Sequence, residues 1–226
     1  MVARDAVLRW EDRRITAAAK KLGVRAPSSG DVSDRREAFL WEKLALGTDE
    51  IHRRLRREAA LAGAVAKAEA RLSRRRRFSV TDLYVPAGSA ARFVEFYWDL
   101  VRRNDEVELL RAHPDHFVQR IGPDGRHEVL ETNGGSPLAA WFFIDYEDLS
   151  KVVTPVDPAF PGQLAGVAYA DGVAVGAVRH QFRDTDGGFH ARLVVEFPLL
   201  TLGHMVAGHR WHLACEFSNW IEAAHN

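Results

Sequence analysis

Cysteine is almost missing from this chain: Cys215 stands alone in 226 residues. That excludes an internal disulfide framework and any zinc module built on thiolates, and a reducing cytoplasm is the expected setting. Long apolar runs are missing too, since no stretch approaches the roughly 20 residues that a membrane span requires. The opening Met1-Val2-Ala3-Arg4-Asp5 lacks the apolar core of a signal peptide. Cytoplasmic location with no membrane partner is therefore the expectation. An overall charge surplus is also absent, with 31 Lys/Arg against 31 Asp/Glu. The balance is local, however: residues 1–77 hold 20 basic and 11 acidic side chains, and the remainder holds 11 and 20. A basic front on an acidic back suggests two units that dock on each other. Aromatic residues are sparse in the basic front, which argues against nucleic acid as its partner.

What is present divides at residue 77. Residues 3–22 carry Val7, Leu8, Ile15, Ala18 and Leu22 at helical spacing. Asp31 or Ser33 is placed to cap a second helix that Gly47 stops, and Thr48 to cap a long third one. From Phe78 the pattern alternates like a half-buried strand up to Pro86. Ser89 then caps a helix over Ala90–Arg103, apolar nearly all round, with Phe96, Tyr97 and Trp98 in a row. Strands follow at Phe117–Ile121, Arg126–Thr132, Leu138–Asp145, Gln163–Ala170, Val173–Arg183 and Phe189–Phe197. The proline-rich loop Thr154–Gly162 is a candidate cover for an entrance, and a helix runs from His209 to the end. No strand-helix-strand rhythm appears, so the expected class is α+β. Its form is a helix-grip domain over 78–226, an antiparallel sheet wrapped around the long C-terminal helix, with 1–77 as a basic helical extension. Whether that extension is a lid, a homodimerisation element or a separate module stays open.

The candidate chemistry starts on the last helix. His212 and Glu216 are four apart and share a face, with His209 and Asn219 one turn to either side. An imidazole and a carboxylate so placed are half of a divalent-metal site, or simply a solvated surface pair. The tight turn Gly122-Pro123-Asp124-Gly125 supplies the other half. If Pro123 and Asp124 form a two-residue loop, pairing puts His116 opposite Glu131 on one face of the hairpin. Two imidazoles and two carboxylates suit Zn²⁺, with Fe²⁺ or Mn²⁺ as alternatives.

His212-x-x-x-Glu216-x-x-Asn219 resembles the C-terminal motif of zinc-dependent carbon–carbon hydrolases of acylated phloroglucinols, the diacetylphloroglucinol and phloretin hydrolases. Three further elements are similar to that family: His113-Pro114-Asp115-His116, Glu131-Thr132-Asn133-Gly134-Gly135, and His180-Gln181-Phe182-Arg183-Asp184-Thr185-Asp186-Gly187. The resemblance covers Ala90 to the end and implies a helix-grip fold and zinc held by two His and two Glu. The implied ligands are His116, Glu131, His212 and Glu216, with His113 an alternative to His116 because the His-Pro element is one residue short. It implies cleavage of a carbon–carbon bond in a small aromatic or polyketide-like substrate. For that reaction Glu216 and His180 are the candidate catalytic residues, with His180, on a strand expected to face the cavity, moving protons. Tyr146 and Tyr169 are candidates for holding a phenolic substrate. The rival expectation is a non-metal helix-grip carrier or cyclase for a hydrophobic polycyclic ligand.

Overall fold

The computed structural model describes residues 3–134 and 136–225; Gly135 of the motif above lies outside them, as does the opening Met1-Val2. Three helices come first, α1 (Arg4–Leu22), α2 (Val32–Leu46) and α3 (Thr48–Leu72). Asp31 caps α2 in a reciprocal box with Asp34, each side chain accepting a backbone N–H of the other. At α3 the expected Thr48 cap is not made. Thr48 is already helical, and Gly47 takes the cap position with no side-chain bond. Asp49 and Glu50 in the first turn answer the exposed N–H groups instead.

Seven strands form one antiparallel sheet in the order β1-β7-β6-β5-β4-β3-β2. They are β1 (Arg76–Val85), β2 (His116–Ile121), β3 (His127–Glu131), β4 (Ala140–Asp145), β5 (Gly162–Ala170), β6 (Val173–Thr185) and β7 (Gly188–Pro198). Between β1 and β2 stand α4 (Ala90–Arg103) and α5 (Glu106–Arg111), and α6 (Gly203–His225) closes the chain. The class is α+β. Helix α4 proves amphipathic rather than apolar all round: Ala90, Phe93, Tyr97, Leu100 and Val101 are buried, and the opposite face is not.

One face of the sheet packs on α4 and α6 through Phe93, Phe182, Phe189, Leu193, Phe217 and Trp220. At roughly 1.5–3 kcal/mol for each large apolar side chain removed from water, this layer fixes how α6 lies against the sheet. A second core joins the N-terminal helices to β2 and β3, with Ile15, Phe39, Ile51 and Leu55 against Phe117 and Leu130. The helical front thus shares its core with the hairpin that carries His116 and Glu131.

The loop before β5 does not cover an entrance. It lies on the sheet face away from α6, where Glu196 accepts the Val153 and Thr154 N–H groups, Gln181 accepts that of Asp157, and Phe160 stands edge-on to His190. The wall of the cavity described below is closed instead by the second half of α3.

Candidate metal centre

His116 and Glu131 do face each other across β2 and β3, by a different route from the two-residue loop. The loop is one residue longer: Gly125 N–H closes the turn on Gly122 O at 2.9 Å, with Gly125 at φ 79°. This shifts every pair from Ile121↔His127 to Val118↔Leu130 by one, and a bulge between His116 and Val118 shifts it back. Two offsets cancel, and the pair at the strand ends is the expected one.

Helix α6 meets that strand end through two glycines. A Cβ on Gly208 would collide with the Gly134 carbonyl, and one on Gly134, at φ 55°, with the His209 backbone. Only bare backbones can approach so closely, and the approach brings Glu131 to within reach of the next turn of α6. His116 Nε2 lies 3.2 Å from His212 Nε2, 3.0 Å from Glu216 Oε2 and 3.6 Å from Glu131 Oε2. His212 Nε2 lies 3.6 Å from each carboxylate. All four side chains are buried.

The protonation pattern makes this convergence chemically pointed. His116 Nδ1 lies 3.2 Å from the Leu109 carbonyl and donates to it, which orients the ring. Its Nε2 then faces another imidazole nitrogen and two carboxylate oxygens. Burial works against the charge on Glu216, but hydrogen bonds from His116 and His212 hold it well below the usual carboxylate range. Burial likewise opposes charge on His212, yet Glu131 and Glu216 raise it to about 9. Glu131 is raised, by burial first and by the other two carboxylates, Glu216 and Asp115. The cluster gathers two imidazoles and two carboxylates in one buried place, a donor set that could hold a cation.

A third histidine stands beside it. His113, His116 and His212 each present a ring nitrogen, all within 4.8 Å of one another, and together could hold a metal ion. His113, however, stacks on His212 with centroids 3.8 Å apart and planes 22° apart. Imidazole binds a metal in its ring plane, so two stacked rings do not aim at one point. The His113 Nδ1 also accepts the Asp115 N–H at 3.0 Å. Of the two alternatives in the His-Pro element, His116 is the one whose nitrogen meets both carboxylates. His209 also stacks on His212, with ring centroids 5.1 Å apart and planes nearly parallel.

The cluster opens on a cavity of about 580 Å³, within the range of small-molecule sites, walled by residues such as Val129, Phe142, Ile144, Leu213 and Phe217. Polar groups are few and specific. Tyr97 and Tyr146 lie on it with hydroxyls 2.9 Å apart. Burial raises both phenols, so they stay protonated. Gln119 lines the wall with a buried Oε1 that has no partner among the described residues. Tyr169, in contrast, sends its hydroxyl to Asp148 and is absent from the wall.

His180 lines the cavity, but its hydrogen bonding changes the role expected of it. Its Nδ1 accepts the Val194 N–H at 3.2 Å, which leaves the proton on Nε2. Burial lowers it to about 4. At neutral pH His180 is a hydrogen-bond donor and a poor proton carrier. Tyr97 belongs to the Phe96-Tyr97-Trp98 run, a row of aromatics able to line a pocket or to fill a core, and of the three it is the one on the cavity wall. Gln119 had no distinguishing mark in the sequence, since a glutamine in a strand is ordinary; the pairing pattern, once known, puts it three residues from His116 on the same face.

Among the described residues no helix is long and apolar enough to cross a membrane. Set against known families and curated proteins, the chain matches no family model and no curated sequence.

Proposed function

We propose that the protein is a metal-dependent hydrolase, with Zn²⁺ as the ion, that cleaves the carbon–carbon bond between an aromatic ring and its acyl group. The observation that carries this reading is the set of donor distances. Four atoms from two imidazoles and two carboxylates stand 3.0–3.6 Å apart in the five pairs given above. A tetrahedron of ligands about 2.0–2.1 Å from a zinc ion has edges of about 3.3 Å. His116, Glu131, His212 and Glu216 would hold the ion, and the His116 Nδ1 bond to Leu109 O is the kind of contact that orients a ligating imidazole. In this reading the sheet and α6 are a helix-grip domain with the ligand between them.

Such an ion would supply Lewis acidity toward a ketone oxygen and toward water. The rest falls to the chain. An acylated phenol presents one apolar ring, hydroxyls on its edge and a carbonyl. The walls of Val129, Phe142 and Leu213 suit the ring, and Tyr97, Tyr146 and Gln119 suit the hydroxyls. His180 Nε2–H serves as the catalytic hydrogen-bond donor to a developing oxyanion. Phe217 and Trp220 exclude bulk water from the acidic cluster. In balance, the ring carbon gains a proton, the acyl carbon gains the oxygen of water, and an arene and a carboxylic acid leave.

A second reading is favoured by one observation. Glu216, held ionised, and His212, raised to about 9, form a neutral pair without any metal. A carrier or cyclase for a hydrophobic polycyclic ligand would need only that pair and the cavity. Elemental analysis of protein purified without a His-tag separates the two, near-stoichiometric zinc being expected. Glu216→Gln is expected to lose both the metal and the hydrolysis of an acylphloroglucinol while keeping its circular dichroism. Retention of both would mean the site is elsewhere.

A further inference from the structure

The helical front has no assigned role, and its contacts with the 110–116 turn point to one. Lys43 of α2 is buried, and its amino group lies against three carbonyls, Leu110 at 2.9 Å, His113 at 3.2 Å and His116 at 2.8 Å. Burial pulls its pKa down to about 7, but three acceptors call for three N–H donors, which only the ammonium has. No carboxylate pairs with it among the described residues. A buried ammonium is costly, and an apolar side chain in this core between Phe39 and Leu46 would serve stability as well or better. What the ammonium adds is geometry. Three donors gather three carbonyls between the end of α5 and His116, a segment that begins next to Leu109, whose carbonyl orients the His116 ring.

Helix α1 acts on the same turn through Asp115. Arg14 grips the Asp115 carboxylate with two bonds of 2.7 Å, and Thr132 donates its hydroxyl to the same group at 2.5 Å. Asp115 precedes His116 and Thr132 follows Glu131. One carboxylate therefore ties together the two strand ends from which two of the proposed ligands project.

We infer that α1 and α2 set the geometry of the metal centre, with Lys43 and Arg14 as positioning residues for His116 and Glu131. The inference rests on the proposed metal site. A merely supportive helical front would account for the shared core, but not for a buried cation spent on three carbonyls of the ligand-bearing turn.

The test is Co²⁺ binding to the full chain, read as affinity against a competing chelator and as the visible absorption of the bound ion. Three proteins are compared: wild type, Lys43→Met, and Leu22→Ala, which loosens the same core at the far end of α1. Lys43→Met is expected to bind about 10- to 100-fold more weakly with altered visible bands, and Leu22→Ala to bind as wild type does. A folded Lys43→Met with wild-type affinity and spectrum overturns the inference, and so does an equal loss in Leu22→Ala. Should Lys43→Met fail to fold, Arg14→Lys takes its place, because lysine keeps the charge but cannot make the two-pronged contact. A tenfold loss there supports the inference, and no change overturns it. Wild-type protein that takes up no cobalt would overturn the metal centre itself, and this inference with it; cobalt bound equally well by all variants would overturn the inference alone.

Discussion

At the scale of single residues, His113 and His116 show how two histidines three apart come to different work. Both are buried, and both lie close to His212. His116 aims its Nε2 at two carboxylates, whereas His113 lies flat on a neighbouring ring and accepts a backbone N–H. Replacing each by phenylalanine keeps a ring and removes the nitrogens. His116→Phe is expected to lose most of the bound metal. His113→Phe is expected to keep it and to lose about 1–2 kcal/mol of stability, because the buried Asp115 N–H then has no acceptor. Metal analysis alongside denaturant unfolding decides it; metal lost from His113→Phe and kept by His116→Phe would invert the assignment. The motif containing both was visible in the sequence, but their division of labour was not, since it depends on a bulge at Phe117. A bulge leaves no mark in hydrophobic alternation.

At the scale of elements, α3 is the part whose position matters most to the cavity. Its first half is tied to the sheet at Glu128, whose carboxylate lies 2.9 Å from His52 Nε2, 3.0 Å from Arg120 Nε and 2.9 Å from Trp141 Nε1. The His52 contact first, then those of Arg120 and Trp141, hold Glu128 down to about 2. A carboxylate depressed from about 4.3 contributes stability that is fully present above pH 4.3 and is lost as pH falls through 2. Wild type should therefore exceed Glu128→Gln by about 1–2 kcal/mol near neutrality, and the gap should close on titration from pH 5 to 2. A constant gap across that range would show that the charge is not its source. The second half of α3 lines the cavity with Ala62, Gly63, Val65 and Ala66. A Cβ on Gly63 meets nothing within 4 Å. Gly63→Ala should then stabilise by about 0.5–1 kcal/mol, since alanine suits a helix interior better. Gly63→Leu should project into the cavity and raise KM for long acyl chains more than for acetyl. Equal KM changes for both substrates would mean that α3 does not border the binding path.

At the scale of the whole molecule, the helices and strands were largely legible, because the caps at Asp31 and Ser89 are local signals that tertiary packing reinforces. The strand over Phe78–Val85 forms where the alternation puts it, but its first half faces the other way, with Phe78 and Val80 exposed and Ser79 buried. That the helical front docks was suggested by its charge, but where it docks was not legible. Its decisive contacts, Lys43 to the 110–116 turn and Arg14 to Asp115, join residues 67 to 101 positions apart, and nothing in either segment alone announces the other. The loop before β5 misled for the same reason: three prolines mark a loop but not the face it lies on. Because ligands come from β2, β3 and α6 and are steadied from α1 and α2, an ion held at the centre would join nearly every element. Binding confined to the folded state stabilises it by RT ln(1 + [L]/Kd), about 4 kcal/mol at a free concentration a thousand times Kd. For a chain of this size that is about 8–16 °C in melting temperature. Dialysis against a chelator should lower Tm by such an amount, Zn²⁺ should restore it, and Mg²⁺, which prefers six oxygens to two imidazoles, should not. The helical front should respond with the sheet, so tryptophan fluorescence, which includes Trp10 and Trp41 in α1 and α2, and far-ultraviolet circular dichroism should report one shared transition in both forms. A Tm indifferent to chelator and zinc would remove the metal from the account and leave the neutral Glu216–His212 pair as the cluster's own resolution.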